Sequence, residues 1–391
     1  MPPPDAPLAG RRLWFVGIGG AGLSAYARLA QAWGAEVGGW DRVRTPYLDG
    51  LDAPVEIAAE PVVRERWEAI VSSAYPAVEG TARPAFLAEL VSLRRSIVVG
   101  GTHGKGTVAA MIAFVLRETG DDPAWLVGAP VPQLGANGGA GVGWLVVEGD
   151  ESDRTVFGLA ATIAVVTNVE LDHHTEFASL AELEDEFARW ASRAEHVVRD
   201  VPPYEGELAL PGEHNRRNAG TALATLELAG VAREEAARVL ARFAGTGRRF
   251  EVTESGGVAI VDDYGHHPTE IAATIAAIRE RFDGRRLRVL FQPHLYSRTR
   301  HLARELAVAL AGADDVAVTD VYPARETPIP GVTGKLVVDA LSDLGRMPAW
   351  TPTVEQGVDH LVRAARPGDV LLVTGAGDVD RAPSLLEKRL G

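Results

Sequence analysis

Ser96-Ile-Val-Val99, then Gly100-Gly-Thr-His-Gly-Lys105, then an apolar run from Thr107 to about Thr119, decide the fold. A short apolar run rich in β-branched residues reads as a buried strand. The glycines read as a tight turn, and the longer run as a helix. Strand, glycine-rich turn and helix, in that order, build a parallel sheet covered by helices. The theme occurs twice more. Leu13-Trp-Phe-Val16 is followed by Gly17-Ile-Gly-Gly-Ala-Gly22 and a helix from about Leu23 to Trp33. Arg288-Val-Leu-Phe-Gln292 is followed by Pro293-His-Leu-Tyr-Ser297 and a helix through about Ala311. The expected fold class is therefore α/β with three domains, at residues 1–94, 95–244 and 245–391. Gly245-Thr-Gly247 is the expected hinge, since glycine tolerates large backbone changes. Ligands are expected at the carboxyl ends of the strands.

The 391 residues suffice for two or three domains. The composition, 46% hydrophobic and 24% charged, is that of a globular protein. No apolar run spans a bilayer and no signal peptide opens the chain, so a cytoplasmic enzyme without a membrane partner is expected. The absence of cysteine excludes disulfides, thiolate metal sites and a cysteine nucleophile. A net charge of −14 argues against nucleic-acid binding. An anionic substrate then needs local positive sites: amide-lined loops and single arginines. Oligomeric state is not legible.

Gly101-Thr-His-Gly-Lys105 lies where successive amides form an anion-binding concavity, with Lys105 reaching the β- and γ-phosphates. It departs from the strict phosphate-loop pattern at Val99 and Gly106, and Thr107 comes one residue late. Alone it reads equally as a structural turn. Support comes from Leu145-Val-Val147, a strand ending in Glu148-Gly-Asp-Glu-Ser-Asp153, and from Thr162-Ile-Ala-Val-Val166, a strand ending in Asn168-Val-Glu-Leu-Asp-His-His174. Acidic and imidazole groups after successive strands beside such a loop point to a metal–nucleotide site. In the first segment, Gly17, Gly19, Gly20 and Gly22 precede a helix, and Asp41 follows the second strand, where an acid can meet a ribose. That pattern takes a dinucleotide or a nucleotide-sugar diphosphate, or is a tight turn that binds nothing.

The motifs together resemble the Mur ligases, most closely the branch acting on UDP-N-acetylmuramate and L-alanine. The likeness runs in order through Gly17 to Ser24, Val71-Ser-Ser-Ala74, Gly101 to Lys105, Glu148 to Asp153, Asn168 to His173, Gly212-Glu-His-Asn-Arg-Arg-Asn218, Gly245 to Phe250, Val261 to Glu270, Phe291-Gln-Pro-His294 and Asp320 to Glu326. The resemblance implies a Rossmann-like domain for the UDP-sugar, a central P-loop ATPase-type domain, and a Rossmann-like C-terminal domain for the amino acid. It implies ATP and Mg2+ as cofactors and an acyl phosphate as intermediate. Carried over residue by residue, Lys105 neutralises the transferred phosphoryl, and Glu148 and His173 bind Mg2+, with Thr107 a further candidate. Gly101, Thr102, His103 and Gly104 cradle phosphate. His214 and Asn218 hold adenine; Arg249 and Asp263 close on ATP. Gly17, Gly19, Gly20, Gly22, Asp41, Ser72 and Ser73 take the UDP-sugar. Tyr264, His266 and Arg298 form the amino-acid pocket.

Plainer readings stand beside these. His173 and His174 fit an exposed helix start, and His266 or His267 fits a helix cap. Arg248 and Arg249 fit a solvated pair, and His294 a loop brace. The chain also departs from the family. Gly106 stands where the family has threonine and Leu295 where it has arginine. Val201-Pro-Pro-Tyr-Glu-Gly206 looks like a bypass of strands usual in the central domain. Another amino acid or UDP-sugar acid, and a non-enzymatic nucleotide-binding homologue, are the alternatives.

Overall fold

The computed structural model describes residues 6–172, 176–324 and 326–391. It contains three sheets. In the first, β1 (Arg12–Val16), β2 (Glu36–Asp41), β3 (Val55–Ile57), β4 (Glu68–Val71) and β5 (Thr81–Ala82) are all parallel, in the order β3-β2-β1-β4-β5. Helices α1 (Ala21–Ala32) and α2 (Arg83–Ser92) connect them. The order reverses at β1, which opens a crevice beyond the ends of β1 and β4. Trp14, Val16, Trp40 and Val71 form a buried cluster on this sheet.

The second sheet holds β6 (Ser96–Gly100), β7 (Ala124–Val131), β8 (Ala136–Gly139), β9 (Leu145–Glu148), β10 (Ile163–Val166) and β11 (His196–Val198). Its order is β11-β10-β6-β9-β7-β8, parallel except for β8 against β7. With it go α3 (Lys105–Glu118), α4 (Leu180–Ala191), α5 (Glu213–Leu228) and α6 (Arg233–Leu240). All five residues of β6 are buried, as are Thr107 to Leu116 of α3. This explains why neither shows an amphipathic period in the sequence. Residues 201–205 carry no strand or helix.

In the third sheet, β12 (Glu251–Ser255), β13 (Val258–Asp263), β14 (Leu287–Gln292), β15 (Asp315–Val318), β16 (Ala349–Trp350) and β17 (Val370–Gly375) take the order β12-β13-β17-β14-β15-β16. Only β12 is antiparallel. Side-chain alternation divides its core. Ala259, Val261, Val289 and Phe291 face α7 (Pro268–Arg281), α8 (Tyr296–Leu310) and α9 (Lys335–Asp343). Val258, Ile260, Leu290 and Leu371 face α10 (Val354–Ala364) and α11 (Ala382–Leu390). The sheet is thus covered on both sides, as parallel sheets require.

The chain forms two compact units. One comprises the chain to Glu170 with Leu180–Ala209 and Arg217–Thr246; the other comprises Leu171–Ser179, Leu210–Arg216 and Gly247–Gly391. Gly245, with φ +106°, lies just before that junction. No described helix is long and apolar enough to cross a membrane.

Candidate functional site

The loop from Gly101 to Gly104 follows the central strand β6. Helix α3 opens at Lys105, two residues before the expected start, because Gly104 at φ +79° turns the chain directly into helical geometry. Lys105 is therefore the first helical residue, with Gly106 and Thr107 in the same turn. Gly101 adopts φ +122°, and a Cβ there would lie 2.8 Å from Asn168 O. A Cβ on Gly104 would strike Asn218 Oδ1. Only glycine fits both places.

The end of β10 straps the loop. Thr102 N donates to Asn168 O at 2.9 Å, and Thr102 Oγ1 pairs with the Glu170 backbone. His103 N donates to Asn168 Oδ1 at 2.9 Å, while Asn168 Nδ2 returns a bond to His103 O at 2.8 Å. His103 Nε2 lies 3.1 Å from Glu170 Oε2. The sequence marks this segment by its acids; the structure adds that Thr167, Asn168 and Glu170 shape the loop.

The Lys105 ammonium lies 2.7 Å from Glu151 Oε2 and 3.0 Å from Thr102 O. Its side chain is 13% exposed and that of Glu151 2%. Burial opposes the charge, but Glu151, Asp150 and Glu148 outweigh it and hold the lysine pKa above its ordinary value. Glu148 Oε2 accepts from Gly128 N at 2.6 Å. A Cβ on Gly106 would lie 3.1 Å from that same oxygen, so a side chain at 106 would press on the Glu148 carboxylate. Thr107 is buried. His173 lies outside the described residues.

At the first sheet, Gly19 N donates to Asp41 Oδ2 at 2.7 Å, Arg42 N donates to Asp41 Oδ1, and Thr45 Oγ1 donates to Gly19 O. Asp41 thus braces the glycine turn from within. Gly17 adopts φ +90°, with Ser72 Cβ 2.9 Å from where its own Cβ would be. The ends of β1 and β4 therefore meet at the crevice. Gly20 N donates to Gly17 O, Gly22 lies in the first turn of α1, and Ser73 is exposed.

The second unit gathers the remaining candidates. Asp263 ends β13 and accepts three bonds, from Phe250 N, Gly265 N and Thr274 Oγ1. Arg248 pairs with Asp262 at 3.1 Å, and Arg249 Nη1 lies 3.4 Å from Glu270. Both guanidiniums lie 5.4 Å from the centre of the Tyr264 ring. His267 caps α7: its ring accepts from Thr269 N, and Glu270 closes the capping box. His266 is different. Its Nδ1 lies 3.1 Å from Tyr264 O, an acceptor only, so Nδ1 carries the proton and Nε2 offers a lone pair. Burial, then Arg298, push its pKa down to about 3. Arg298 makes a buried two-bond pair with Asp172, at 2.7 and 2.9 Å, and donates to His294 Nδ1 at 3.1 Å. The sequence groups Asp172 with the acids after β10; the structure pairs it with Arg298. Leu295 holds φ +69° at the start of α8, an unusual backbone for a branched residue. His214 has a buried Nδ1 without a hydrogen-bond partner among the described residues, and burial lowers its pKa.

A phosphate loop, an acidic strand end and a glycine turn, each at the carboxyl edge of a parallel sheet, define a nucleotide-using enzyme of the ligase type. Residues 248–377 match the family described as Mur ligase, glutamate ligase domain. UDP-N-acetylmuramate–L-alanine ligases of Thermobifida fusca and Streptomyces coelicolor are each 36% identical to this chain. The first alignment covers 97% of both chains, the second 98% of this chain and 99% of the relative. The crystal structure of the UDP-N-acetylmuramate–alanine ligase of Thermotoga maritima superposes with a TM-score of 0.78 at 25% identity, covering 97% of this chain and 98% of that one. The chain belongs to the UDP-N-acetylmuramate–L-alanine ligase family of Mur ligases. The alignment with the Thermobifida fusca protein runs over 458 positions, more than the 391 residues present here, so that relative carries stretches this chain lacks.

Proposed function

We propose that this protein joins L-alanine to the carboxylate of UDP-N-acetylmuramate, converting ATP to ADP and phosphate, as a step of peptidoglycan precursor synthesis. The observation that carries the reading is Lys105, held by a buried acid at the mouth of a phosphate loop, in a chain that matches ligases of this name over nearly its whole length. The γ-phosphoryl passes to a carboxylate oxygen and ADP leaves. The alanine amine attacks the acyl carbon, and the C–O bond to phosphate breaks. Negative charge accumulates on the transferred group, and Lys105 with the Gly101–Gly104 amides neutralises it. Glu148 offers the hard oxygen donor that Mg2+ needs, with Thr107 in the same turn as Gly106. When bound, the ion would screen the phosphate oxygens.

Residues 1–94 take the UDP-sugar through Gly17 to Gly22, Ser72 and Ser73, with Asp41 bracing the turn. Residues 95–244 take ATP, with Asn218 against the loop. His214, from residues 95–244, lies on the adenine; residues 245–391 take alanine, with Arg249 and Asp263 ordering the ATP-side loop, and Tyr264, His266 and Arg298 forming the pocket. A neutral His266 accepts a hydrogen bond from the incoming amine. Leu295 favours a second reading, the same chemistry with another amino acid. Phosphate release across a panel of amino acids tests both. Release with alanine supports the first reading, and release only with another amino acid replaces it. No amino-acid-dependent release would leave a nucleotide-binding homologue.

A further inference from the structure

We propose that His294 takes the carboxylate of the incoming amino acid through its Nε2–H, beside the amine seat at His266, with Asp172 and Arg298 as positioning residues behind it. The assignment rests on the amino-acid pocket proposed above. A guanidinium donates and does not accept. Arg298 Nη1 lies 3.1 Å from His294 Nδ1, so that nitrogen is the acceptor and the imidazole proton is on Nε2. His266 is the reverse: its Nδ1–H faces Tyr264 O, and its Nε2 presents a lone pair. The two rings stand edge to face with centroids 5.6 Å apart. Neighbouring neutral imidazoles thus offer one donor and one acceptor. An α-amino acid brings the matching acceptor and donor, carboxylate and amine, on a single carbon.

The cations around the pocket have other duties. Arg298 donates from Nε and Nη2 to Asp172, in a pair only 3% and 5% exposed, and its Nη1 faces His294 Nδ1 and, at 3.5 Å, His294 O. The two-bond grip of Asp172 balances the guanidinium charge and fixes its plane. The guanidinium in turn fixes the tautomer of His294. Arg248 pairs with Asp262, and Arg249 with Glu270. Leu295, next in the chain, adds no charge. Tyr322 stacks on the His294 ring, with centroids 6.0 Å apart and planes 13° from parallel. That ring is half-buried, so it is held in place yet open to a ligand.

The test takes the two halves of alanine as inhibitors of alanine-dependent phosphate release by the full-length protein. Propionate lacks the amine, and ethylamine lacks the carboxylate. Asparagine restores an acceptor near Nδ1, and glutamine a donor near Nε2. His294→Asn should weaken propionate inhibition at least tenfold, as expected for one lost hydrogen bond to a charged group, and leave ethylamine within twofold. His294→Gln should keep both within threefold. The reverse order, with His294→Gln the more damaging, means that Arg298 itself holds the carboxylate and overturns the proposal. Propionate inhibition unchanged in both variants, or an equal loss for the two halves, overturns it as well. If His294→Asn fails to fold, imidazole nitrogen NMR of the unaltered protein decides. A His294 proton on Nε2 whose signal shifts with propionate and not with ethylamine is expected, and a proton on Nδ1 or a signal indifferent to propionate overturns the proposal. Absence of phosphate release with any amino acid overturns the proposed reaction and this assignment with it, whereas release that persists while propionate ignores both variants overturns the assignment alone.

Discussion

Lys105 and Glu151 form a buried ion pair at 2.7 Å. Lys105→Gln should abolish turnover and also cost roughly 3–5 kcal/mol of stability, because it removes the cation 2.7 Å from the buried Glu151 carboxylate. The double variant Lys105→Gln/Glu151→Gln should recover much of that stability without recovering turnover, which urea unfolding and phosphate release would show. The lysine pKa is raised in the fold, so its stabilising effect is complete below about pH 10 and is lost only as pH climbs through the folded value. His266 behaves in the opposite sense. It stays neutral down to about pH 3 in the fold but gains a proton near pH 6.5 once unfolded. Between those values the unfolded state holds more protons, so stability falls as pH falls. From pH 7 to pH 5 the protein should lose about 2 kcal/mol more than His266→Asn does, measured by urea unfolding at each pH. At Gly106, threonine places a Cβ 3.1 Å from Glu148 Oε2, so the carboxylate must give by a few tenths of an ångström while a second oxygen donor arrives beside it. Gly106→Thr should lower the Mg2+ concentration needed for half-maximal rate; an unchanged Mg2+ titration contradicts this account of the metal site.

Among elements, the glycine turns were legible because they combine a strand, a required positive φ and a helix start, all of which leave marks on local sequence. The true start of α3 was not, since the departure at Gly106 obscured that Gly104 already turns the chain. The braces were also hidden. Asp41 on Gly19, Asn168 on His103 and Asp172 on Arg298 join residues 22, 65 and 126 positions apart, and no local period records such pairs. The two histidines before α7 show the same limit: the sequence allowed either to cap, and only the structure gives the cap to His267. Asn168→Ala removes both side-chain bonds to His103 and should raise the KM for ATP about tenfold. Its effect on the KM for UDP-N-acetylmuramate should stay within twofold. Equal effects on both would mean that Asn168 supports the sheet rather than the loop.

At the scale of the whole molecule, three strand–turn–helix segments announced three mainly parallel sheets, and the described residues form three, with β8 and β12 the antiparallel edge strands. The division of the chain into compact units was less legible, because segments such as Leu171–Ser179 and Leu210–Arg216 leave the run of their neighbours and group with the C-terminal sheet. Their sequence is loop-like and gives no sign of where they pack. In the proposed function, the three sheets give a sugar nucleotide, ATP and an amino acid separate seats. The central claim is that these seats serve transfer of a phosphoryl group to a carboxylate. It is tested most directly with UDP-N-acetylmuramate labelled with oxygen-18 in its carboxylate, incubated with ATP and alanine, followed by mass analysis of the released phosphate. One labelled oxygen in each phosphate is the predicted result; phosphate without label, with the displaced oxygen lost to water or both labelled oxygens still in the unreacted acid, would contradict it.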